Sequence, residues 1–493
     1  MTPLQKRLTT LACLVTIVLA ILDQNIVSAA TVPIVRDLDP EHGLERLPWL
    51  ITSYALAATA ALPLYGKLCD IHGARRVFAV AVGVFLLGSA LCGMAQTMDQ
   101  LIAFRGLQGL GGGGLMSVTM VVIAQVSAPG ERGGRGGMAG LVAGLGMVAG
   151  PLIGGVLVDS GQWRWIFYVN LPLGLFALAV AATAMRLPLP GRRHRVDYLG
   201  AALVAAAAST LLLLAEWGGH RYAWTSAPAI ALAVGGAVLV ALFLWRQAVA
   251  AEPVLPLSLF RNPTLRVALP IQALLGVAMM AAIVYVMVYL QVVRGITPSG
   301  AGRFLIPVAV GISLSGLLAN ALERRGWPVR GTVLLGTATA ALGLGLLSLV
   351  HVATPTWQIL AALFLFGAGV GQLLGQLILL SQQAVPADQL GVTTTAIRFG
   401  QSLGSAFGAA VFGTVLLRVY LANAPAGTTV GSGAPTAPAA FVTAIDTVFL
   451  CGAGVMTVAF VLALLLRAPA PATPGSSDAG AAHRPAPAPV SSA

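Results

Sequence analysis

Apolar residues follow one another along this chain in long blocks that show no polar face, and short clusters of Gly, Pro and charged residues separate the blocks. A block of about 20 apolar residues has the length of a bilayer-spanning helix and far exceeds a buried strand. Fourteen are predicted, at approximately 8–31, 48–66, 76–96, 99–123, 137–158, 165–186, 198–216, 226–246, 267–291, 301–322, 331–350, 357–381, 390–418 and 440–466. The first is too long for a cleaved signal and lacks an A-x-A-type exit, and Asp23 and Asn25 interrupt it, so it reads as a retained span. Residues 422–438 are small and polar and fit an external loop. The tail from 468 is rich in Pro, Ala, Gly and Ser and is expected to be disordered. Residues 187–198 carry four charges between Arg192 and Asp197 and separate the first six spans from the later ones.

Composition agrees with that reading. Of 493 residues, 57% are hydrophobic and 9% charged, against about 25% charged in a soluble chain, which excludes a water-soluble fold. The net charge of +12 does not imply nucleic acid, because binding there needs a basic face on a polar surface. The charge has a topological explanation instead. Nineteen of the 28 basic residues fall on the side of both termini, seven on the other, and Arg105 and Arg398 lie within spans. Cytoplasmic flanks carry the Lys and Arg excess, so both termini are placed in the cytoplasm. Cys13, Cys69, Cys92 and Cys451 stand singly in apolar stretches with no metal-like spacing, so neither a disulfide framework nor a metal site is expected.

Several motifs carry chemistry. Between the second and third spans, Gly66-Lys67-Leu68-Cys69-Asp70-Ile71-His72-Gly73-Ala74-Arg75-Arg76 forms a tight basic turn in which Asp70 and the arginines can meet each other or a helix end. Arg105, in Arg105-x-x-Gln108-Gly109, lies inside hydrocarbon, which costs about 2.5–3.5 kcal/mol on insertion scales and calls for a partner or a watery cavity. The glycine run Gly111–Gly114 has no strand before it and no acidic partner of a dinucleotide site; close helix packing explains it better. Gly146-x-x-x-Gly150-Pro151-x-x-Gly154-Gly155 describes a kinked, tightly packed helix. Asp23, in Leu22-Asp23-Gln24-Asn25, sits at a depth comparable to Arg105, and the two could pair; the plain alternative is a polar group satisfied structurally. Arg398 precedes Gly400-Gln401-Ser402-Leu403-Gly404 in the thirteenth span.

The G-x-L-x-D-x-x-G-x-R turn, the R-x-x-Q-G of the fourth span, the G-x-x-x-G-P-x-x-G-G of the fifth and the Leu-Asp of the first together resemble the major facilitator superfamily, and within it the fourteen-span drug:proton antiporters. Asn25 stands where that branch carries Thr. Glu323-Arg324-Arg325-Gly326 is a weak echo of the turn in the second half. The resemblance implies an all-α integral membrane protein with a six-helix bundle at 1–190, two inserted helices at 191–250, a second six-helix bundle at 251–467 and a tail at 468–493. It implies that the turn latches one half to the other at the cytoplasmic face. Asp23, Arg105 and Arg398 become the candidates for proton coupling, and Gly66, Asp70, Gly73, Arg75, Arg76, Gly146, Gly150, Pro151, Gly154 and Gly155 those for conformational change.

Transporter sites lie near the midplane between repeats, so polar or aromatic groups inside spans are the candidates for lining one. These are Asn25, Tyr54, Gln108, Gln125, Gln272, Tyr285, Tyr289, Asn320, Gln372 and Gln376, with Met279, Met280 and Met287 as a plastic apolar wall. No phosphate-binding G-x-x-x-x-G-K-[ST] occurs, so an ion gradient and no cofactor is expected to supply the energy. The expected function is proton-coupled export of drugs or other amphipathic small molecules across a bacterial cytoplasmic membrane, with no enzymatic activity and antibiotic resistance as a consequence. Heavy use of Arg, Ala and Gly points to a GC-rich bacterial genome. A dedicated exporter of one natural product, peptide or lipid is the alternative. A respiratory proton-pumping subunit would need Lys and Glu in mid-membrane, whereas Lys6 and Lys67 lie at the cytoplasmic edge and Glu216 at a span end. The expected partners are protons, a small amphipathic substrate and the bilayer, and nucleic acid is not among them.

Overall fold

The computed structural model describes residues 1–39, 43–126, 146, 157, 162–187, 197–218, 222–250, 253–296, 298–351, 353–386, 389–425 and 438–466. Its helices in chain order are α1 (Pro3–Leu38), α2 (Gly43–His72), α3 (Ala74–Met94), α4 (Met98–Val126), α5 (Trp165–Tyr168), α6 (Asn170–Thr183), α7 (Tyr198–Trp217), α8 (Ala227–Val249), α9 (Pro263–Val292), α10 (Pro298–Gly302), α11 (Ile306–Arg324), α12 (Val329–Leu347), α13 (Thr356–Gln383), α14 (Leu390–Asn423) and α15 (Pro438–Leu464). No strand occurs among the described residues, where Gly218 and Tyr222 form an isolated bridge.

Twelve helical stretches among the described residues are long and apolar enough to cross a membrane, against fourteen expected. The expected span at 48–66 lies inside α2, a helix of 30 residues. Helix α2 is not one of the twelve, which are counted among the described residues only. The expected span at 137–158 lies outside the described residues except for Gly146 and Leu157.

Local chemistry sets the helix ends. Asn262 caps α9 by accepting from the Thr264 and Leu265 amides, and Pro263 opens it where a missing N–H is harmless. The Asp197 carboxylate accepts from the Gly200 amide to cap α7. Gly73, at φ 84°, turns the chain from α2 into α3, and Gly326, at φ 81°, turns it from α11 into α12. The weak sequence echo between the two halves is thus a shared left-handed backbone conformation that favours glycine.

The buried apolar side chains fall into separate clusters. One draws on α9 to α15 around Phe366, Phe412 and Phe449; another draws on α1 to α4 and α6 around Phe78 and Phe85. The glycine run of α4 brings its neighbours close. A methyl on Gly111 would overlap the Phe85 amide of α3, and one on Gly113 would overlap the Ala58 carbonyl of α2. The two sets of helices meet mainly where α2 packs on α14, with α4 also touching α14. Helix α7 packs on α2, α14 and α8, and α7 and α8 are the least buried of the twelve spans. Arg246 ties α8 to α7 through Asp197 at 3.0 Å, and Trp224 donates to Thr414 of α14.

Candidate functional site

Asp23 of α1 is fully buried, and five helices supply the groups around it. Arg105 of α4 donates from Nη1 to Asp23 Oδ2 at 2.8 Å. Gln108, one turn further along α4, donates from Nε2 to Asp23 Oδ1 at 2.7 Å, and Asn170 of α6 donates from Nδ2 to the same oxygen at 2.9 Å. Ser89 of α3 accepts from both amides and donates its own proton to the Phe167 carbonyl. On the α2 side, Arg105 Nε donates to the Leu50 carbonyl, and the guanidinium lies over the Tyr54 ring at 4.3 Å. The i, i+3 spacing of Arg105 and Gln108 puts both on one face of α4, and Arg105 Nη1 also donates to Gln108 Oε1 at 2.7 Å. All three groups on the carboxylate are donors, two of them on Oδ1 and one on Oδ2.

The α2–α3 turn binds two further helix ends. Both Asp70 oxygens accept at 3.0 Å from the Gly391 and Val392 amides, the first turn of α14, where the helix dipole favours an anion. A Cβ on Gly391 would lie 2.5 Å from Asp70 Oδ1, and one on Gly66 would overlap Thr395, so both glycines are needed for the close approach. Arg75 turns the other way and donates to the Ala181 and Ala182 carbonyls at the end of α6. The motif therefore joins α2 to the second set of helices through Asp70 and to the first through Arg75. Arg76 is exposed. Of the fifth-span glycines only Gly146 is described, where an added Cβ would come into ordinary contact with Val18 and Ile21 of α1; Gly150, Pro151, Gly154 and Gly155 lie outside the described residues.

A cavity of about 400 Å³ opens between the two sets of helices. Its wall is mostly small or apolar: Ala55, Ala58, Gly112, Gly113, Met116 and Leu374 are typical. Its polar rim is Thr59, Arg398, Gln401, Ser402 and Ser405. Arg398 is half-buried and donates to Gln401 Oε1 at 2.9 Å, and Thr59 and Ser402 share a 2.6 Å hydrogen bond across the α2–α14 seam.

The sequence-derived lining candidates lie elsewhere. Gln108 serves Asp23, Tyr54 carries Arg105, and Tyr289 joins Arg294 to the His351 carbonyl. Tyr285 packs edge-on against Phe412. Gln272 donates to Gln401 Oε1 from behind the wall. Gln372 donates to its own helix, and the Oε1 atoms of Gln125, Gln372 and Gln376 are buried without a partner among the described residues. The side chains of Asn25 and Asn320 are not among those described. Met279 lines the cavity, whereas Met280 and Met287 do not. Arg398, the third candidate for proton coupling, lies at the cavity and apart from the Asp23–Arg105 pair. Sequence reasoning did not single out Ser89 and Asn170. It also passed over Asp446 in α15, half-buried with one oxygen unpartnered among the described residues, which the rule that found Asp23 would have found.

The sequence profile of the Major Facilitator Superfamily matches residues 12–409, and the chain belongs to that superfamily. A similar protein is an uncharacterised transporter of the same type from Mycobacterium tuberculosis, 33% identical over 487 residues, covering 95% of this chain and 70% of that one. The multidrug transporter protein MdtP of Bacillus subtilis is 32% identical, covering 80% and 72%, and multidrug resistance protein 3 of the same organism is 32% identical, covering 83% and 79%. The fold resembles that of a proton:xylose symporter, with a TM-score of 0.64 at 13% identity, over 94% of this chain and 95% of that one. The chain is accordingly a multi-pass membrane transporter and not an enzyme, from a superfamily that handles small molecules.

Proposed function

We propose that the chain is a proton-coupled exporter of amphipathic small molecules, working across a bacterial cytoplasmic membrane from two rocking six-helix units with two inserted helices. The observation that carries this reading is the Asp23 network: one buried carboxylate held by three donors, one of them an arginine, at the junction of α1, α3, α4 and α6. Protonation of Asp23 cancels the charge that holds Arg105. Arg105 lies against Tyr54, whose hydroxyl abuts Gly112 on the cavity wall, so the change reaches the substrate space directly. The favoured arrangement of the two halves then shifts. The Asp70 latch on α14 is the contact that breaks and reforms as they rock. Curated relatives named as multidrug transporters support export as the direction.

The test is transport of fluorescent amphipathic probes by protein in vesicles with an imposed pH gradient. Asp23→Asn is expected to abolish gradient-driven accumulation. Full transport by that variant would remove Asp23 from the coupling step.

A further inference from the structure

We infer that the central cavity takes an amphipathic anion, anchored at its carboxylate, sulfonate or phosphate by Arg398. For its direction of movement, though not for binding, this deepens the export reading.

The argument begins with charge. A guanidinium offers five donors, and among the described residues Arg398 spends them only on Gln401. Gln401 is itself fixed: its Oε1 also receives Gln272 at 3.1 Å, and its Nε2 meets the Met279 sulfur at 3.4 Å. The fork is thus held at the cavity wall with donors to spare. Among the described residues no acid is placed to neutralise it. Of the sixteen acidic residues, only Asp23 and Asp446 lie in the interior of an apolar stretch. Asp23 is fully buried on Arg105, and Asp446 sits on α15, which contributes nothing to the wall.

The remaining wall fits the rest of such a ligand. Ala55, Ala58, Met116 and Leu374 offer an apolar surface for a hydrocarbon or aromatic body. A planar guanidinium binds carboxylates and phosphates in a two-point manner, whereas a cationic ligand would meet an uncompensated like charge in a low-dielectric space. The inside-negative potential of a cell also drives an anion outward, in the same electrical sense as proton entry.

The experiment measures binding with no gradient present, so that failure of proton coupling leaves its outcome unaffected. Full-length protein in phosphatidylcholine nanodiscs is titrated with dansylglycine, with its uncharged amide and with ethidium. The expected result is that the carboxylate binds at least about tenfold tighter than the amide. Arg398→Gln should erase that difference while leaving the amide's Kd in place, which also shows that the variant is folded. Arg398→Lys should recover part of it. Nanodiscs containing phosphatidylglycerol separate two sources of the same chemistry: competition makes an anionic lipid the occupant, and its absence makes it a soluble organic anion. Equal binding of acid and amide, tighter binding of ethidium, or an Arg398→Gln variant with unchanged preference would overturn the proposal.

Discussion

Arg105 and Arg398 are both arginines inside membrane-crossing helices, and the protein treats them in opposite ways. Arg105 is almost fully buried and meets a carboxylate, an amide oxygen, a backbone carbonyl and an aromatic face. Arg398 is half-buried, faces a cavity and, among the described residues, holds a single glutamine. A charge enclosed by matched partners stays where it is until one partner changes its own charge. A charge left facing open space is held in readiness for a group from outside. In the proposed export cycle, the first helices therefore carry the proton switch and the later ones the anchor for substrate, with α2 and α14 in contact between them.

The most severe way to test this contrast is to truncate each arginine. Arg105→Ala leaves Asp23 charged and buried, and breaking a buried pair from one side costs about 3–5 kcal/mol. Arg398→Ala breaks no ion pair among the described residues and is expected to cost under about 1 kcal/mol, the scale of one lost hydrogen bond. Thermal unfolding of the detergent-solubilised variants reads both, and equal losses would erase the distinction. A smaller effect is expected at the seam. Asp70→Asn replaces one acceptor at the start of α14 by an amide that opposes a backbone N–H, weakening the latch by about 1–2 kcal/mol. Spin labels at the α2 and α14 ends should then report a larger separated population. An unchanged distance distribution would mean that Gly66 packing holds the seam unaided.

The parts of this arrangement that were legible in the sequence are those fixed by expensive exceptions. Asp23 and Arg105 stand out because charge is rare in hydrocarbon, and their depths suggested a pair. The spacing of Gly66, Asp70 and Gly73 announced a tight turn, and its resemblance to the superfamily implied a latch, though not that Arg75 would close on α6. The cavity was illegible for a physical reason: candidates were sought by polarity, but the space exists where bulk is missing, at Ala55, Ala58, Gly112 and Gly113. Polar residues such as Gln108 and Tyr289 are instead consumed by interactions inside their own set of helices. Ser89 and Asn170 carry no signal of their own, since a lone hydroxyl or amide in a span is common and only the meeting of α1, α3, α4 and α6 makes them partners of Asp23. The span at 48–66 was predicted from its apolar length and falls within the 30-residue helix α2.

The mildest test compares the Asp23–Arg105 pair with the same chemistry at the surface. At the far end of α1, Asp37 Oδ2 accepts from Arg164 at 2.8 Å and from the Trp163 indole at 3.0 Å, and Arg164 also reaches the Ala95 carbonyl. The hydrogen bonds from Arg164 and Trp163 hold the Asp37 carboxyl below the usual aspartate range. Because the folded value is depressed, the stabilisation is present in full above the ordinary aspartate range and is lost as pH falls through the lower folded value. The Arg164 and Asp37 side chains are 39% and 47% exposed, so solvent screens the pair, and Asp37→Asn should cost no more than about 1 kcal/mol at neutral pH. The melting difference between wild type and Asp37→Asn should therefore stay level from neutral pH down to about 4 and vanish in stronger acid. A loss as large as that of Arg105→Ala would show that burial is not what separates the two pairs, and the contrast drawn from Arg105 would fail with it.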